Sequence, residues 1–473
     1  MKNIVLIIFI LAANTSFGQT EKPANKMAIE SFVENYNSDN YEGVFSMFSP
    51  EMKRALPFDK TVEFLSGLKT REGKISNWQF SNYVNGSYAS YKTEFERAVR
   101  SINISLDVQS KINGLFVKPF TEESPTKKAI NGLVNNENIV SKNQSEILFE
   151  NSNNFPNQTQ IGIAIIENGD VKFYGIKRNN DTISSKNDSK SIFEIGSITK
   201  VFTSTVLAGY VVSKKIKLDD NINDYLTFPL KDNIKLSFEE LANHTSGLPS
   251  LPSNLDFTSH PENPYKDYDD IDLEDYLSKS LERDENLKRT HQYSNLGTGL
   301  LGYTLSQIAG ISYKNLLQSL IFSEFNMLNS TVNPNNVTEI FVRGLDEEGN
   351  EVSNWELSAL VGAGGILSNV EDLSKFAIAQ FNPSNKALEL TRQKTFEIND
   401  TMDVGLGWHI VPSHSDNEWH WHNGGTGGYS SSMVIDVKNK NGIIILSNVS
   451  GFSSRMGNID KLCFELMETL ESK

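Results

Sequence analysis

Apolar and polar positions along the chain repeat with two different periods. Met27, Phe32, Val33 and Tyr36 recur at helical spacing, and Tyr41, Val44, Phe45 and Phe48 carry the pattern into a second short helix. Pro50 and Pro57 punctuate the segment, and residues 61–68 suggest a third helix. Alternation then takes over in Trp78-Gln79-Phe80 and in residues 90–95, 102–108 and 115–120. Helices followed by strands predict a small α+β unit over 19–120. Residues 121–154 are rich in Asn, Ser, Lys and Glu and read as a linker, with room for one helix of the next domain.

A second domain is predicted over 155–473. Ile161, Ile163 and Ile165 alternate, Asn168-Gly169 supplies a hairpin turn, and Val171, Phe173 and Gly175 resume the pattern. Near the other end, residues 429–437 and 442–447 flank Asn439-Lys440-Asn441-Gly442 as another hairpin. A terminal helix follows over 457–470. Strands at both ends with helices between them predict one antiparallel sheet closed by distant pieces of chain, an α/β domain of the α+β type.

Bulk properties narrow the partners. At 473 residues the chain is too long for one core. Its net charge of −15 and the lack of any Lys/Arg block argue against nucleic acid. At the start, Lys2, an apolar run over 4–13 and Thr15-Ser16-Phe17-Gly18 read as a secretory signal peptide cut near Gly18. The expected destination is therefore outside the cytoplasm, periplasmic or secreted. Cys463 is the only cysteine, so no internal disulfide or cysteine-based metal site is available. It reads as a buried small hydrophobe on the terminal helix.

Candidate chemistry starts at Phe193-Glu194-Ile195-Gly196-Ser197-Ile198-Thr199-Lys200. Ser and Lys three apart at the head of an apolar helix stand on one face, about a turn from each other. A serine hydroxyl needs a base to become a nucleophile, and a lysine desolvated by a buried helix can serve as one. Two common residues at that spacing are a weak signal alone. Further along, His420 and His422 alternate on an expected strand and point the same way, but no third metal ligand accompanies them.

The surroundings make the signal specific. Residues 193–226, with Lys215-Ile216-Lys217-Leu218-Asp219-Asp220 and Tyr225-Leu226, resemble the nucleophile region of the serine β-lactamase and penicillin-binding protein superfamily. Leu241-Ala242-Asn243-His244-Thr245-Ser246-Gly247-Leu248-Pro249 is similar to that family's H-T-S-G-L-P segment, which is structural there. Tyr293-Ser294-Asn295 resembles the Y-x-N box of the class C-like branch. His422-Asn423-Gly424-Gly425-Thr426-Gly427-Gly428-Tyr429 resembles the third box, with His-x-Gly in place of Lys-Thr-Gly. Residues 325–331, 363–368, 371–376 and 405–408 look like family scaffold. The resemblance spans residues 155–473 and keeps the three boxes in order.

It implies a central antiparallel sheet flanked by helices, plus an all-helical subdomain. It also implies catalytic roles for Ser197, Lys200 and Tyr293, the phenol being eased towards ionisation by the lysine ammonium. Asn295 would orient an acyl-side amide or Lys200. His422, with Asn423, Gly424 and Gly425, would bind substrate, His422 donating to its carboxylate or carbonyl or polarising the set of Ser197, Lys200 and Tyr293. The N–H groups of Ser197 and Gly425 are the oxyanion candidates. No metal or organic cofactor is implied. The expected partner is a small molecule or peptide with a reactive carbonyl, cell-wall peptides included. The implied function is an acyl-serine hydrolase acting on a D-Ala peptide, a β-lactam or a small ester. A carboxylesterase, or a penicillin-binding sensor that acylates without turnover, are the alternatives. Residues 19–120 resemble the cone-shaped fold of the nuclear-transport-factor-2-like superfamily by pattern only.

Overall fold

The computed structural model describes residues 21–471, apart from 85–87, 108, 121–128, 134–138, 257–258, 261, 285–286, 288, 338–339 and 414–416. The expected signal peptide lies outside the described residues. The chain forms two compact units that divide after Glu122.

The first unit packs four helices, Pro23–Asn37, Tyr41–Ser46, Pro50–Ala55 and Phe58–Glu72, with a four-stranded antiparallel sheet. The strands run in sequence order: β1 (Ile75–Val84), β2 (Tyr88–Phe95), β3 (Val99–Leu106) and β4 (Ile112–Pro119). One helix more than expected appears because Pro50 opens a helix instead of ending one. Ser49 caps it by accepting from the Met52 N–H, and a proline at the first position loses no needed donor. Ile29, Phe32, Tyr36, Leu65, Tyr91, Ile102 and Ile104 form its core.

The second unit is built on a ten-stranded sheet. Its first strands in the chain are β5 (Ile130–Gly132), β6 (Gln160–Glu167), β7 (Asp170–Asn179) and β8 (Thr182–Ser185). Two short pairs lie apart from it: β9 (Phe193–Glu194) with β12 (Leu367–Ser368), and β10 (Gly344–Leu345) with β11 (Glu351–Val352). The remaining strands are β13 (Phe396–Asn399), β14 (Met402–Val404), β15 (His409–Pro412), β16 (Glu418–Gly425), β17 (Ser430–Asp436) and β18 (Asn441–Ser447). The order is β13-β14-β15-β16-β17-β18-β6-β7-β8-β5, so the two ends of the domain meet where β18 pairs with β6.

Two expectations need correction. The sheet is mixed, because β5 joins β8 in parallel at the edge. Residues 121–154 are not only a linker: they supply that strand and the helix Lys142–Ser152. All three residues of β5 are exposed and its one apolar position, Ile130, stands alone, so no alternating pattern betrayed it. The helix docks on the terminal helix Gly457–Glu471 through Gln144 Nε2 to Thr469 Oγ1 (2.9 Å) and Asn151 Nδ2 to Glu465 Oε2 (2.7 Å).

Both faces of the sheet are covered. Ile161, Ile163, Ile165, Val434, Ile443 and Ile445 pack against those two helices, with fully buried Cys463 among them. Ala164, Ile166, Met433, Ile435, Ile444 and Leu446 face the opposite layer, which holds the helix Thr199–Val212. Double coverage explains why β17 and β18 are buried at every position. The Thr199–Val212 helix is apolar nearly all round because it runs through the centre of that layer.

Candidate active site

Ser197 lies in a short 3₁₀ turn, Gly196–Ile198, that leads into the buried helix. Its neighbours Gly196, Ile198 and Lys200 are buried, while Ser197 keeps partial exposure. Lys200 is fully buried, and its Nζ reaches three oxygens: Ser197 Oγ at 2.9 Å, Asn295 Oδ1 at 2.7 Å and Ala363 O at 2.7 Å. Burial pushes its pKa well below the ordinary lysine value. A neutral amine has two N–H bonds and one lone pair. Asn295 Oδ1 and Ala363 O can only accept, so they take the two N–H bonds. The lone pair is then left to accept from the Ser197 hydroxyl, which is the arrangement a base requires.

Tyr293 lies beside Ser197, close enough for the hydroxyl to act on its ionisation, and Lys200 Nζ sits 4.7 Å from the centre of its ring. The three boxes therefore meet as expected. The ionisation argument for Tyr293 does not hold in this geometry. Burial pushes the phenol pKa up, and a lysine held neutral by the same burial offers no charge to lower it. Burial therefore favours the protonated phenol of Tyr293.

The third box is the end of β16. Its glycines lie against the nucleophile turn so closely that side chains have no room. A Cβ on Gly424 would stand 2.8 Å from the Ser197 amide nitrogen, and one on Gly196 would stand 2.7 Å from the Gly425 amide nitrogen. Gly196 also has φ +50°, a conformation that favours glycine. Ser431 on β17 fixes the approach by donating from Oγ to Ile195 O at 2.8 Å. The amides of Ser197 and Gly425 are thus neighbours.

Two side chains of this box differ from expectation. His422 is buried, and its Nδ1 lies 2.6 Å from Asn423 O. A carbonyl only accepts, so the Nδ1 proton is committed there. In the neutral ring Nε2 is left as an acceptor, and His422 cannot donate to a substrate carboxylate as anticipated. Asn423 turns away from the nucleophile, because neighbouring residues of a strand face opposite sides. Its Nδ2 donates to Asp460 Oδ2 on the terminal helix at 2.8 Å. Asn423 serves the site through its carbonyl, and its side chain anchors the strand. Asn295 takes the second of its two anticipated roles, on Lys200.

With this geometry in place, similarity to known proteins becomes informative. Residues 157–462 match the family described as Beta-lactamase.

This chain belongs to the beta-lactamase family.

It is a serine hydrolase of the β-lactamase and penicillin-binding group. It is 25% identical over 263 residues to a beta-lactamase of Pseudomonas fluorescens, a match covering 53% of this chain and 69% of that one. It is 27% identical over 285 residues to penicillin-binding protein 4* of Bacillus subtilis, covering 55% of this chain and 61% of that protein. A solved beta-lactamase/D-alanine carboxypeptidase from Pseudomonas syringae superimposes with a TM-score of 0.56 at 22% identity, over 69% of this chain and 96% of that one. A class C beta-lactamase from Rhodobacter sphaeroides gives 0.57 at 18% identity, over 69% of this chain and 99% of that one. These likenesses establish the fold of the second unit. Residues 30–115 match a family described as a protein of unknown function, DUF3887.

Several residues of this beta-lactamase-family site were not legible in the sequence as functional. Ala363, read as scaffold, gives Lys200 one of its three oxygens through a backbone carbonyl, and no side-chain signal could have shown it. His244 sits in the left-handed region (φ +62°) as part of a structural turn, in line with the family segment it resembles. It still borders the site: its Nδ1 accepts from the Ser294 N–H at 3.2 Å, and its ring lies 4.5 Å from that of Tyr293. His291 and His409 complete a row, with ring centres 5.8 Å (His244–His291), 6.1 Å (His291–His409) and 5.3 Å (His409–His422) apart. His420 lies away from the nucleophile, 6.4 Å from the Trp408 ring, with Nε2 3.3 Å from Arg392 O. Among the described residues no group of three or more His, Cys, Asp or Glu is placed to hold a metal ion.

These imidazoles make stability depend on pH. Burial lowers the pKa of His244, His291 and His422, and takes His409 and His420 down to about 4. An unfolded histidine protonates near ~6.5, so between there and pH 4 the unfolded chain binds protons that the folded one refuses. Stability is full above ~6.5 and falls on acidification, by at most ~3 kcal/mol for a buried ring such as His420. Glu194, Asp460, Glu239 and Asp270 act in the opposite sense. Burial raises the first two to about 7 and about 6 and lifts the other two above the usual carboxyl value, so they favour the folded state at lower pH and lose that contribution as pH rises. Five imidazoles, all lowered by burial, still outnumber these four carboxyls. The melting temperature is expected to fall steadily from pH 6.5 to 4.5 in calorimetry, and a rise over that range would contradict the assignment.

Proposed function

We propose that the protein hydrolyses amides or esters through an acyl-Ser197 intermediate. One observation carries the reading: the Lys200 amine has two hydrogen bonds to pure acceptors and a third contact, 2.9 Å long, to the Ser197 hydroxyl. Lys200 takes the serine proton as Oγ attacks the carbonyl carbon. The Ser197 and Gly425 amides stabilise the oxyanion. Tyr293 donates its proton to the leaving group and recovers one from Lys200. Water then attacks the acyl-serine, and the same groups return the proton to Oγ. His422 Nε2, an acceptor at the edge of this set, favours a substrate or water that donates.

Among the candidate substrates, an ester fits best. Binding the carboxylate of a D-Ala peptide or a β-lactam calls for a cation in the third box. Here the box holds a histidine kept neutral by burial, with its one proton already committed to Asn423 O. The family relatives named for β-lactams or penicillin keep those substrates as the second reading. The proposal extends to export, on the strength of residues 1–18, and to a cone-shaped fold for the DUF3887 unit, whose helices pack with an ordered four-stranded sheet. Mass spectrometry after treatment with a fluorophosphonate and, separately, a penicillin tests the nucleophile. The expected result is one adduct, on Ser197, with the fluorophosphonate reacting faster. Absence of any adduct on Ser197 rejects the reading, and a stable penicillin adduct without steady-state turnover of esters favours a sensor.

A further inference from the structure

A row of aromatic rings stands beside the oxyanion glycines and takes no part in the chemistry described so far. Phe452 is 62% exposed, unusually open for a phenylalanine on a well-formed turn. The turn is held by the Phe452 N–H donating to Ser450 Oγ at 3.1 Å and by Gly451 N–H donating to Thr426 O at 2.9 Å. Gly451 packs directly on Gly425, where an added Cβ would come within 3.1 Å of the Gly451 Cα. The exposed ring is therefore one residue from the backbone that touches the oxyanion amide.

Two more rings stand behind it, Trp355 half-buried and Tyr265 buried. Trp355 lies 5.7 Å from Phe452, and Tyr265 lies 5.2 Å from Trp355. Trp355 is fixed from both sides. Its N–H donates to Glu194 Oε1 at 2.8 Å, three residues before Ser197, and its indole Nε1 would stand 2.7 Å from a Cβ on Gly427, two residues beyond Gly425. Tyr265 is close enough to Tyr293 for the charge of one to disfavour that of the other. The row thus runs from beside the phenol donor to the far side of the oxyanion glycines, and only its Phe452 end is open.

We propose that Phe452 and Trp355, backed by the buried Tyr265 ring, form an apolar rim that receives an uncharged aliphatic or aromatic group of the substrate. This selects carbonyl compounds with a sizeable apolar substituent over short ones. The inference rests on the acyl-Ser197 reading and names its substrate class. Covering the open Phe452 face removes apolar surface from water, an effect worth about tenfold in selectivity. A protein partner would need no contact with the oxyanion backbone, and that continuity is what points to the substrate.

The test compares kcat/KM for p-nitrophenyl acetate and hexanoate in the full chain. The hexanoate-to-acetate ratio is expected to be about ten or more, and to fall about tenfold in Phe452→Ala and in Trp355→Ala. Phe452 is exposed, so its replacement leaves the fold intact. A second measurement needs no turnover: tryptophan fluorescence follows binding of phenylacetamide and acetamide to Ser197→Ala protein, with and without Phe452→Ala. Tighter binding of phenylacetamide that is lost with Phe452 supports the rim even if Ser197 fails to label, in which case only the nucleophile reading falls. Normal labelling of Ser197 with a flat ester series and equal binding of the two amides overturns the rim. So does a preference that survives both aromatic replacements.

Discussion

Lys200→Met is expected to lower kcat/KM by about 10³–10⁴-fold and to slow fluorophosphonate labelling of Ser197 by a similar factor. Methionine fills nearly the same space but has no lone pair to accept the Ser197 proton. The protein remains folded. Asn295 Oδ1 and Ala363 O each lose a donor, at ~1–3 kcal/mol apiece, but the variant also removes an amine whose burial was itself unfavourable. The two effects oppose, and a small change in melting temperature is expected by circular dichroism. Lys200→Arg gives no rescue, because a guanidinium keeps its proton and cannot act as a base. Retention of more than a tenth of the activity in either variant would show that the serine is activated by something else.

Gly424→Ala is expected to be nearly as damaging, for a purely steric reason. The new methyl would stand 2.8 Å from the Ser197 amide nitrogen, with Ile195 O closer still. Both are backbone atoms, so β16 must move away from the nucleophile turn. The Gly425 amide moves with it. Loss of one oxyanion donor costs about 10²–10³ in kcat, and the displaced strand costs ~1–3 kcal/mol of stability. Gly425→Ala supplies the contrast. Its methyl meets Gly451 Cα at 3.1 Å and the flexible end of Met456 at 3.3 Å, which can yield. The loss at position 424 should therefore exceed that at 425 by at least tenfold. Equal effects would mean that the amides do not hold the oxyanion.

Both predictions depend on contacts that no local pattern carries. Lys200 and Ser197 share a helical face, so their proximity was legible from a spacing of three residues. The Tyr293 box was recognisable because Asn295 accompanies it. The neutral state of Lys200 could be anticipated in kind from the apolar helix that carries it, but the two acceptors that direct its lone pair come from positions 295 and 363. Two protonation details were set by surroundings that residue type does not show. Burial opposes the eased ionisation expected of Tyr293, and the Asn423 carbonyl takes the Nδ1 proton of His422. The Asn423 reading failed because a box of consecutive residues on a strand has two faces. The short edge strand Ile130–Gly132 escaped because pairing at a sheet edge uses backbone groups and leaves its exposed residues, Ile130 included, free of any alternating pattern.

The amino-acid sequence by itself determined most of the order of elements, the division of the chain into two units and the serine, lysine and phenol proposed for the site. Those depend on periodicity and on residues within a few positions of one another. Tertiary structure alone decided which proton sits where, which amides converge, and that rings at 265, 355 and 452 stand in one row. Such properties arise from desolvation and from contacts between segments far apart in the chain, where each group's behaviour is set by neighbours it does not have until the domain has closed.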